Sequence, residues 1–384
     1  MRCSDSTVNS LSRQCLPIVI DSPQRVADRG LCRRILSVVE RVKLVDVARA
    51  AGVHAATASR ALNPAARSEV SRRTVRRVEL AAARLGYVPN TLARGLRTSR
   101  SYVAALVIPD ITNPLFPPIV RGAQQVLSEA GFTLVLTDTN NEPATERAQV
   151  ASMRAHRVDG FIVATARWHD PLLDELAEAN VPVVLVNRHT SGSALPYVGG
   201  DGRRGIELCV DHLADLGHRR IVHLAGPSDT STGRERAGAF RQAMRARKLP
   251  LASAVVECGA FTEDAGEVAA RRLISSQRAF TAIVAGNDLL ALGAMAALAA
   301  AGMQCPRDVS VTGFDDLTFM DKLTPALTTV RVPLSDMGAL GARMLLEWVE
   351  HRQARHLAQT LLPVELIVRA TTTAPVASPR VRPA

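Results

Sequence analysis

The chain has 384 residues, with 47 Lys+Arg against 36 Asp+Glu, which is enough length for two or three domains with full cores. The formal net charge of +11 is unevenly placed: residues 1–100 hold 19 basic and 7 acidic side chains, and the remainder hold 28 and 29. No apolar run is long enough to span a bilayer, and Cys3, Cys15, Cys32, Cys209, Cys258 and Cys305 form no CxxC pair, so a membrane span, a zinc site and a disulfide framework are disfavoured.

Residues 1–41 are mixed and Ser/Arg-rich without period. They read as a disordered basic arm or as an over-long start, and both readings stand. Their one apolar stretch, Leu16–Ile20 ahead of Asp21, is too short for the core of a secretory leader. Reduced thiols, a cytoplasmic location and no cofactor are the expectation.

The spacing next predicts a helix over Leu44–Ala51, stopped by Gly52, and a second helix beginning at His54. Two short helices around a glycine turn form a helix-turn-helix, whose second helix can enter a major groove. A third helix is predicted over Ser71–Leu85, with Ser71 as N-cap and Gly86 beyond its end. Val45, Ala48, Val53, Ala58 and Leu62 are expected to pack the first two helices. Val75, Val78, Leu80, Ala82 and Leu85 supply the apolar face of the third, whose Arg72, Arg73, Arg76 and Arg77 form a cationic flank. Residues 42–90 therefore read as an all-α DNA-binding domain. The excess positive charge lies beside it, as a phosphate footprint requires. A solvated charged face is the bland alternative, and the neutral remainder argues against it. Residues 91–101 form a linker, of which Thr91–Arg97 is helix-compatible but too short to be stable alone.

From Tyr102 short apolar runs recur: Val103–Ile108, Phe132–Leu136, Gly160–Val163, Val181–Val186, Ile221–Leu224, Ala282–Ala285 and Val309–Gly313. Amphipathic stretches separate them: Pro118–Ala130, Thr145–Ala155, Arg203–Leu216, Gly233–Arg247 and Glu263–Ser275. The alternation predicts an α/β region of doubly wound parallel sheets, in two similar lobes across residues 102–370. Residues 371–384 have no period and are expected to be a disordered tail.

Several segments then carry a resemblance. They are Leu44–Val53, His54–Asn63, Gly86–Leu96, Ile108–Pro114, Asp211–His218, Arg236–Phe240, Asn287–Asp288, Gly313–Asp316 and Pro325–Thr329. In this order the chain resembles the lac repressor / galactose repressor family of bacterial transcription regulators across about residues 42–370. The resemblance implies a helix-turn-helix head on a core like that of periplasmic sugar-binding proteins. It also implies a homodimer on pseudo-palindromic double-stranded operator DNA, switched by a small-molecule effector such as a sugar or sugar acid. By resemblance, Ala55, Ala56 and Arg60 occupy base-reading positions, and Thr57, Ser59, Asn63 and Ser71 hold phosphates. His54 stands where the family has a serine cap. Ala55 and Ala56 offer only methyl contacts, so direct readout rests on Arg60, which suits guanine O6 and N7. His54, Asn90, Arg94 and Leu96 complete the DNA-facing set, with Leu96 as a hinge wedge in a minor-groove step. A leucine packed on the head is the alternative reading of Leu96, and a phosphate contact that of Arg60.

The resemblance places the effector against Asp201, Arg236, Asn287 and Asp315, with Leu115 and Phe116 closing one wall and Phe116 or Phe261 covering a ring face. Thr230 stands where purine-binding members have an arginine, which disfavours a purine. Two other classes compete with a regulator. An enzyme on a doubly wound sheet lacks a glycine-rich phosphate loop, GxSxG and HExxH, and leaves only the adjacent Asp315 and Asp316. A periplasmic binding protein needs neither the head nor its charge.

Overall fold

The computed structural model describes residues 42–62, 64–87, 100–192, 194–251, 254–276, 278–351 and 359–376. They belong to two compact units that divide after Asn90.

The first unit comprises α1 (Leu44–Ala50), α2 (Ala55–Leu62) and α3 (Arg72–Leu85), with a 3-10 turn at Pro64–Glu69. Gly52 at φ +59 turns the chain between α1 and α2, and Gly86 at φ +66 closes α3. Both sit in the left-handed region that a Cβ disfavours. Ser71 caps α3, accepting the Thr74 amide at 3.3 Å. Val47, Ala48, Ala58, Ala61, Val75, Val78, Ala81 and Ala82 fill the core. Two expected core positions fail: Val45 is 53% and Leu80 64% exposed. Each helical residue turns the face by a large angle, so Val47 and Ala81, one or two positions on, take the inner places.

In the second unit, β1 (Val103–Ile108), β2 (Thr133–Asp138), β3 (Gly160–Val163), β4 (Val183–Val186), β5 (Tyr197–Gly200) and β11 (Gln359–Leu362) form one parallel sheet, ordered β11-β5-β4-β3-β1-β2. The other sheet joins β6 (Ile221–Ala225), β7 (Val255–Glu257), β8 (Ala282–Ala285), β9 (Ser310–Asp315), β10 (Thr328–Arg331) and β12 (Glu365–Ile367), ordered β12-β10-β9-β8-β6-β7. Only β12 runs antiparallel, along β10. The central runs of Val, Ile, Leu and Ala are buried throughout, as strands covered on both faces must be.

The first lobe carries α4 (Phe116–Glu129), α5 (Pro143–Ala155) and α6 (Pro171–Glu178); the second carries α7 (Gly202–Asp215), α8 (Ser231–Ala246), α9 (Glu263–Ser275) and α10 (Asp288–Ala300). The chain then returns, and α11 (Leu334–His351) packs on α4 and against β3–β5. A Cβ on Gly338 would lie 1.9 Å from the Ile119 carbonyl oxygen, and one on Gly122 1.9 Å from that of Ser335. Glycine is what lets α4 and α11 touch backbone to backbone. Both sheets reverse their winding beside the first strand of the lobe, which opens a crevice at the carboxyl strand ends.

The expected disordered tail from residue 371 needs correction at its start. The Thr371 carbonyl accepts the Val311 amide at 2.8 Å, its hydroxyl donates to the Val311 carbonyl at 2.7 Å, and Thr373 is bonded through its carbonyl to buried His218 at 2.8 Å. These residues complete backbone bonds of β9 ahead of its pairing with β10, and buried strand groups require such partners. The expectations for residues 1–41, for most of the 91–101 linker and for residues 377–384 lie outside the described residues.

Candidate nucleic-acid interface and ligand cleft

In the head, the imidazole of His54 does the capping expected of a serine. Its Nδ1 accepts the Ala56 amide at 3.3 Å, and its carbonyl accepts the amides of Thr57 and Ala58 at 2.9 and 3.0 Å. Ala58 and Ala61 face the core. His54, Ala56 and Arg60 are exposed, and Ala55, Thr57 and Ser59 are half-buried. Ala56 and Arg60 lie one turn apart and so share a face. Among the described residues Arg60 meets only Glu69, at 3.8 Å, with both side chains more than half exposed. Such a contact is worth less than about 1 kcal/mol and leaves the guanidinium available. The Ser71 hydroxyl is engaged with the α3 amide and with Thr74 Oγ1 at 2.9 Å. Arg72, Arg73, Arg76 and Arg77 are exposed along α3. Asn63, Asn90, Arg94 and Leu96 lie outside the described residues.

In the core, the carboxyl ends of both sheets line a cavity of about 290 Å³ including its open mouth. Asn113 and Leu115 reach it from the loop after β1, and Phe116 from the start of α4. Asn187 and Arg188 follow β4 directly. From the second lobe come Thr232 and Arg236 on α8, Phe261 before α9, Asn287 at the head of α10 and Asp315 at the end of β9. Six of the seven expected residues are brought together. Asp201 is not: its carboxylate accepts the Arg204 amide at 2.9 Å and caps α7, and it is absent from the cavity wall. An aspartate one residue before a helix is well placed to satisfy a free amide of the first turn.

Sequence reasoning missed Asn113, Asn187, Arg188 and Thr232. The signal for three of them was present, because Asn113 and the Asn187-Arg188 pair closely follow apolar runs, where parallel strands present ligand-binding side chains. Asn187 at φ +64, Asp315 at φ +111 and Asp316 at φ +52 occupy the left-handed half of backbone space. Strain of this kind gathers at functional sites, where surrounding structure holds it.

The electrostatics are dominated by two guanidiniums. Arg236 is buried, lies 3.7 Å over the Phe314 ring, donates to the Gly286 carbonyl at 2.5 Å and approaches Asp315 at 3.5 Å. Burial raises the Asp315 carboxyl to about 6, and Arg236 limits the rise. Arg188 stands 5.7 Å from the centre of the Phe261 ring, and burial lowers its pKa to about 10. The Nε atoms of both arginines are buried without a hydrogen-bond partner among the described residues. Asp316 points elsewhere, to Arg331 at 2.8 Å and Arg369 at 2.7 Å. The adjacent aspartates therefore do not form a carboxylate pair. Asp288 lies behind β9, accepting the Leu317 amide at 2.7 Å and the Thr329 hydroxyl at 2.5 Å; burial pushes its pKa well up.

At the rim the lobes grip each other. The Trp168 amide donates to the Asp229 carbonyl at 2.7 Å, and the His189 amide to the Ser231 hydroxyl at 3.0 Å. His189 Nε2 lies 2.6 Å from Glu235, and Arg234 stacks 4.9 Å from the Trp168 ring. The bond to Glu235 raises the His189 pKa. Among the described residues, no group of three His, Cys, Asp or Glu side chains can hold a metal ion, and no helix is long and apolar enough to cross a membrane. Cys209 and Cys258 are buried free thiols, both pushed up to about 12 by burial.

Comparison with known proteins sets this geometry in context. Residues 43–90 match the family described as bacterial regulatory proteins, lacI family, and residues 210–372 match the periplasmic binding protein-like domain. The ribose operon repressor of Halalkalibacterium halodurans is 32% identical over 85% of this chain and 96% of its own length. A lac repressor dimer bound to operator and an anti-inducer is similar with a TM-score of 0.75 and 27% identity, over 87% of this chain and all of that one. The regulator CelR in complex with cellobiose gives a TM-score of 0.66 and 32% identity, over 86% of this chain and all of that one.

Proposed function

This chain belongs to the lacI family of bacterial regulatory proteins, and from that premise we propose that it is a repressor that binds a pseudo-palindromic operator as a homodimer and loosens or tightens its hold when a carbohydrate-like effector enters the cleft. The observation that carries the reading is the cavity itself, whose wall is shared by both lobes while the lobes are fastened to each other at its rim. A ligand bound there has different contacts in open and closed forms. It can therefore shift the lobes, and DNA affinity, only by its differential affinity for those forms. Phe116 and Phe261 suit the face of a sugar ring, and Asn113, Asn187, Asn287 and Asp315 suit its hydroxyls.

The lac repressor structure supports the operator and the dimer, and the ribose repressor and the cellobiose complex support the sugar. In this reading Ala55, Ala56 and Arg60 face bases, Thr57, Ser59, Asn63 and Ser71 face phosphates, and His54, Asn90 and Arg94 complete the DNA-facing set. Leu96 wedges into the operator centre. The protein is a regulator and not an enzyme, acting in the cytoplasm on the nucleoid. Selecting operators from random DNA and titrating them by fluorescence anisotropy, with and without ribose or cellobiose, tests this. A two-fold symmetric site bound by two chains, with affinity changed by a sugar, is expected. A single chain on an asymmetric site would refute the dimer, and indifference to every carbohydrate would refute the effector class.

A further inference from the structure

The wall of the cleft carries more positive than negative charge. Two guanidiniums, Arg188 and Arg236, line it, against one carboxylate, Asp315. The other nearby carboxylates are committed: Asp316 is paired with Arg331 and Arg369, Asp288 is bonded behind β9, and Glu146, whose charge also reaches Arg188, accepts from the Thr165 hydroxyl and faces Arg167 at 3.8 Å. Asp229, whose charge also reaches Arg188, is exposed. Among the described residues no side-chain hydrogen bond or ion pair is made by Arg188. Arg236 keeps its Nε unpartnered although its side chain is only 8% exposed. The two cations repel each other, and the charge on Arg236 lowers the affinity of Arg188 for its proton. Helices α4, α8 and α10 also begin at the cavity, through Phe116, Thr232 and the Asn287 cap, and their amino ends add partial positive charge.

Closing the lobes over a neutral ligand would strip water from an uncompensated cation, which is costly. A negatively charged group between the guanidiniums removes that cost and supplies charge-assisted hydrogen bonds to both unpartnered nitrogens.

We propose that the ligand of this cleft is a polyhydroxy anion, a sugar-like molecule whose carboxylate or phosphate is held by Arg188 and Arg236 while Asp315, Asn187 and Asn287 take its hydroxyls. This rests on the reading of the cleft as the effector site. A net charge of one sign on the cavity wall selects ligands by charge as well as shape, so a neutral sugar and its acid are separated by the same pocket that accepts both skeletons.

The test is calorimetry on the full chain with four probes: D-ribose, D-ribonate, D-ribose 5-phosphate and cellobiose. At least one anion is expected to bind about tenfold or more tighter than ribose, and whether it is ribonate or the phosphate ester identifies the anionic group. Arg188→Gln is expected to erase that preference, so that the anion binds the variant no more than about threefold tighter than ribose binds the same variant. A second measurement needs no variant: added salt should weaken anion binding and leave ribose binding nearly unchanged. Ribose or cellobiose binding as tightly as both anions overturns the proposal and leaves the effector reading standing. Binding by none of the four overturns both.

Discussion

Asp315→Asn should make the free core more stable at neutral pH while disabling its cleft. Burial lifts the Asp315 carboxyl from 3.8 to about 6 even with Arg236 3.5 Å away. A difference of one in pKa corresponds to about 1.4 kcal/mol, so the ionised side chain costs the folded core roughly 3 kcal/mol at pH 7. The folded pKa lies above the unfolded one. The favourable contribution is thus complete below about pH 4 and lost as pH rises through 6. Asparagine has the same shape and no charge, tolerates positive φ better than most residues, and keeps an oxygen to accept from Arg236. It gives up the attraction to that guanidinium, so a net gain of about 1–3 kcal/mol is expected, several degrees in melting temperature. Thermal unfolding of both full chains at pH 7.5 and pH 5, at one protein concentration and ionic strength, checks this. The difference should shrink at pH 5, where the native aspartate is itself largely protonated. A variant that melts lower at pH 7.5, or that differs equally at both pH values, would show that the Arg236 pairing outweighs desolvation.

Three further outcomes are expected. Arg60→Ala should lose about 1–3 kcal/mol on the selected operator with non-specific DNA binding little changed, since its 3.8 Å contact with Glu69 is exposed and dispensable; equal losses on both DNAs in gel-shift titrations would mark it as a phosphate contact. His189 has a raised pKa through Glu235, so its charged grip across the rim is full below about 6.5, its ordinary value, and fades as pH rises through the raised value. Ligand affinity by calorimetry between pH 7 and 9, above the Asp315 range, should therefore fall more steeply in the native chain than in His189→Asn, and parallel profiles would discard the rim as a pH-dependent clamp. Gly338→Ala forces a methyl against the Ile119 carbonyl and should cost about 1–3 kcal/mol in urea denaturation, whereas an unchanged midpoint would mean that α4 and α11 separate freely.

Much of the fold was written locally. The head was legible because caps, a glycine turn and a short apolar spacing are near-neighbour effects: Gly52, Ser71 and Gly86 act within one helical turn of themselves. Strands β1, β3 and β8 were legible because burial on both faces demands an unbroken apolar run. Of the missed elements, α6 did carry such a mark, the Asp170 cap ahead of Pro171, but others had none. Helix α10 is apolar nearly all round, so it shows no 3.6 period. The short strands β7, β10, β11 and β12 are strands by virtue of the neighbours they pair with.

The ligand cleft divides in the same way. Charge segregation, the helix-turn-helix and the order of strands and helices were properties of the sequence alone, and they sufficed for the two-part architecture. That Asn113, Asn187, Arg188, Thr232 and Asp315 meet in one cavity was decided only in three dimensions, because they belong to strands, loops and a helix far apart in the chain. Tertiary structure also separated Asp315 from Asp316 and drew Thr371 onto β9. In each case a polar group goes where its hydrogen-bond partner lies, and that partner is set by the packing of distant segments.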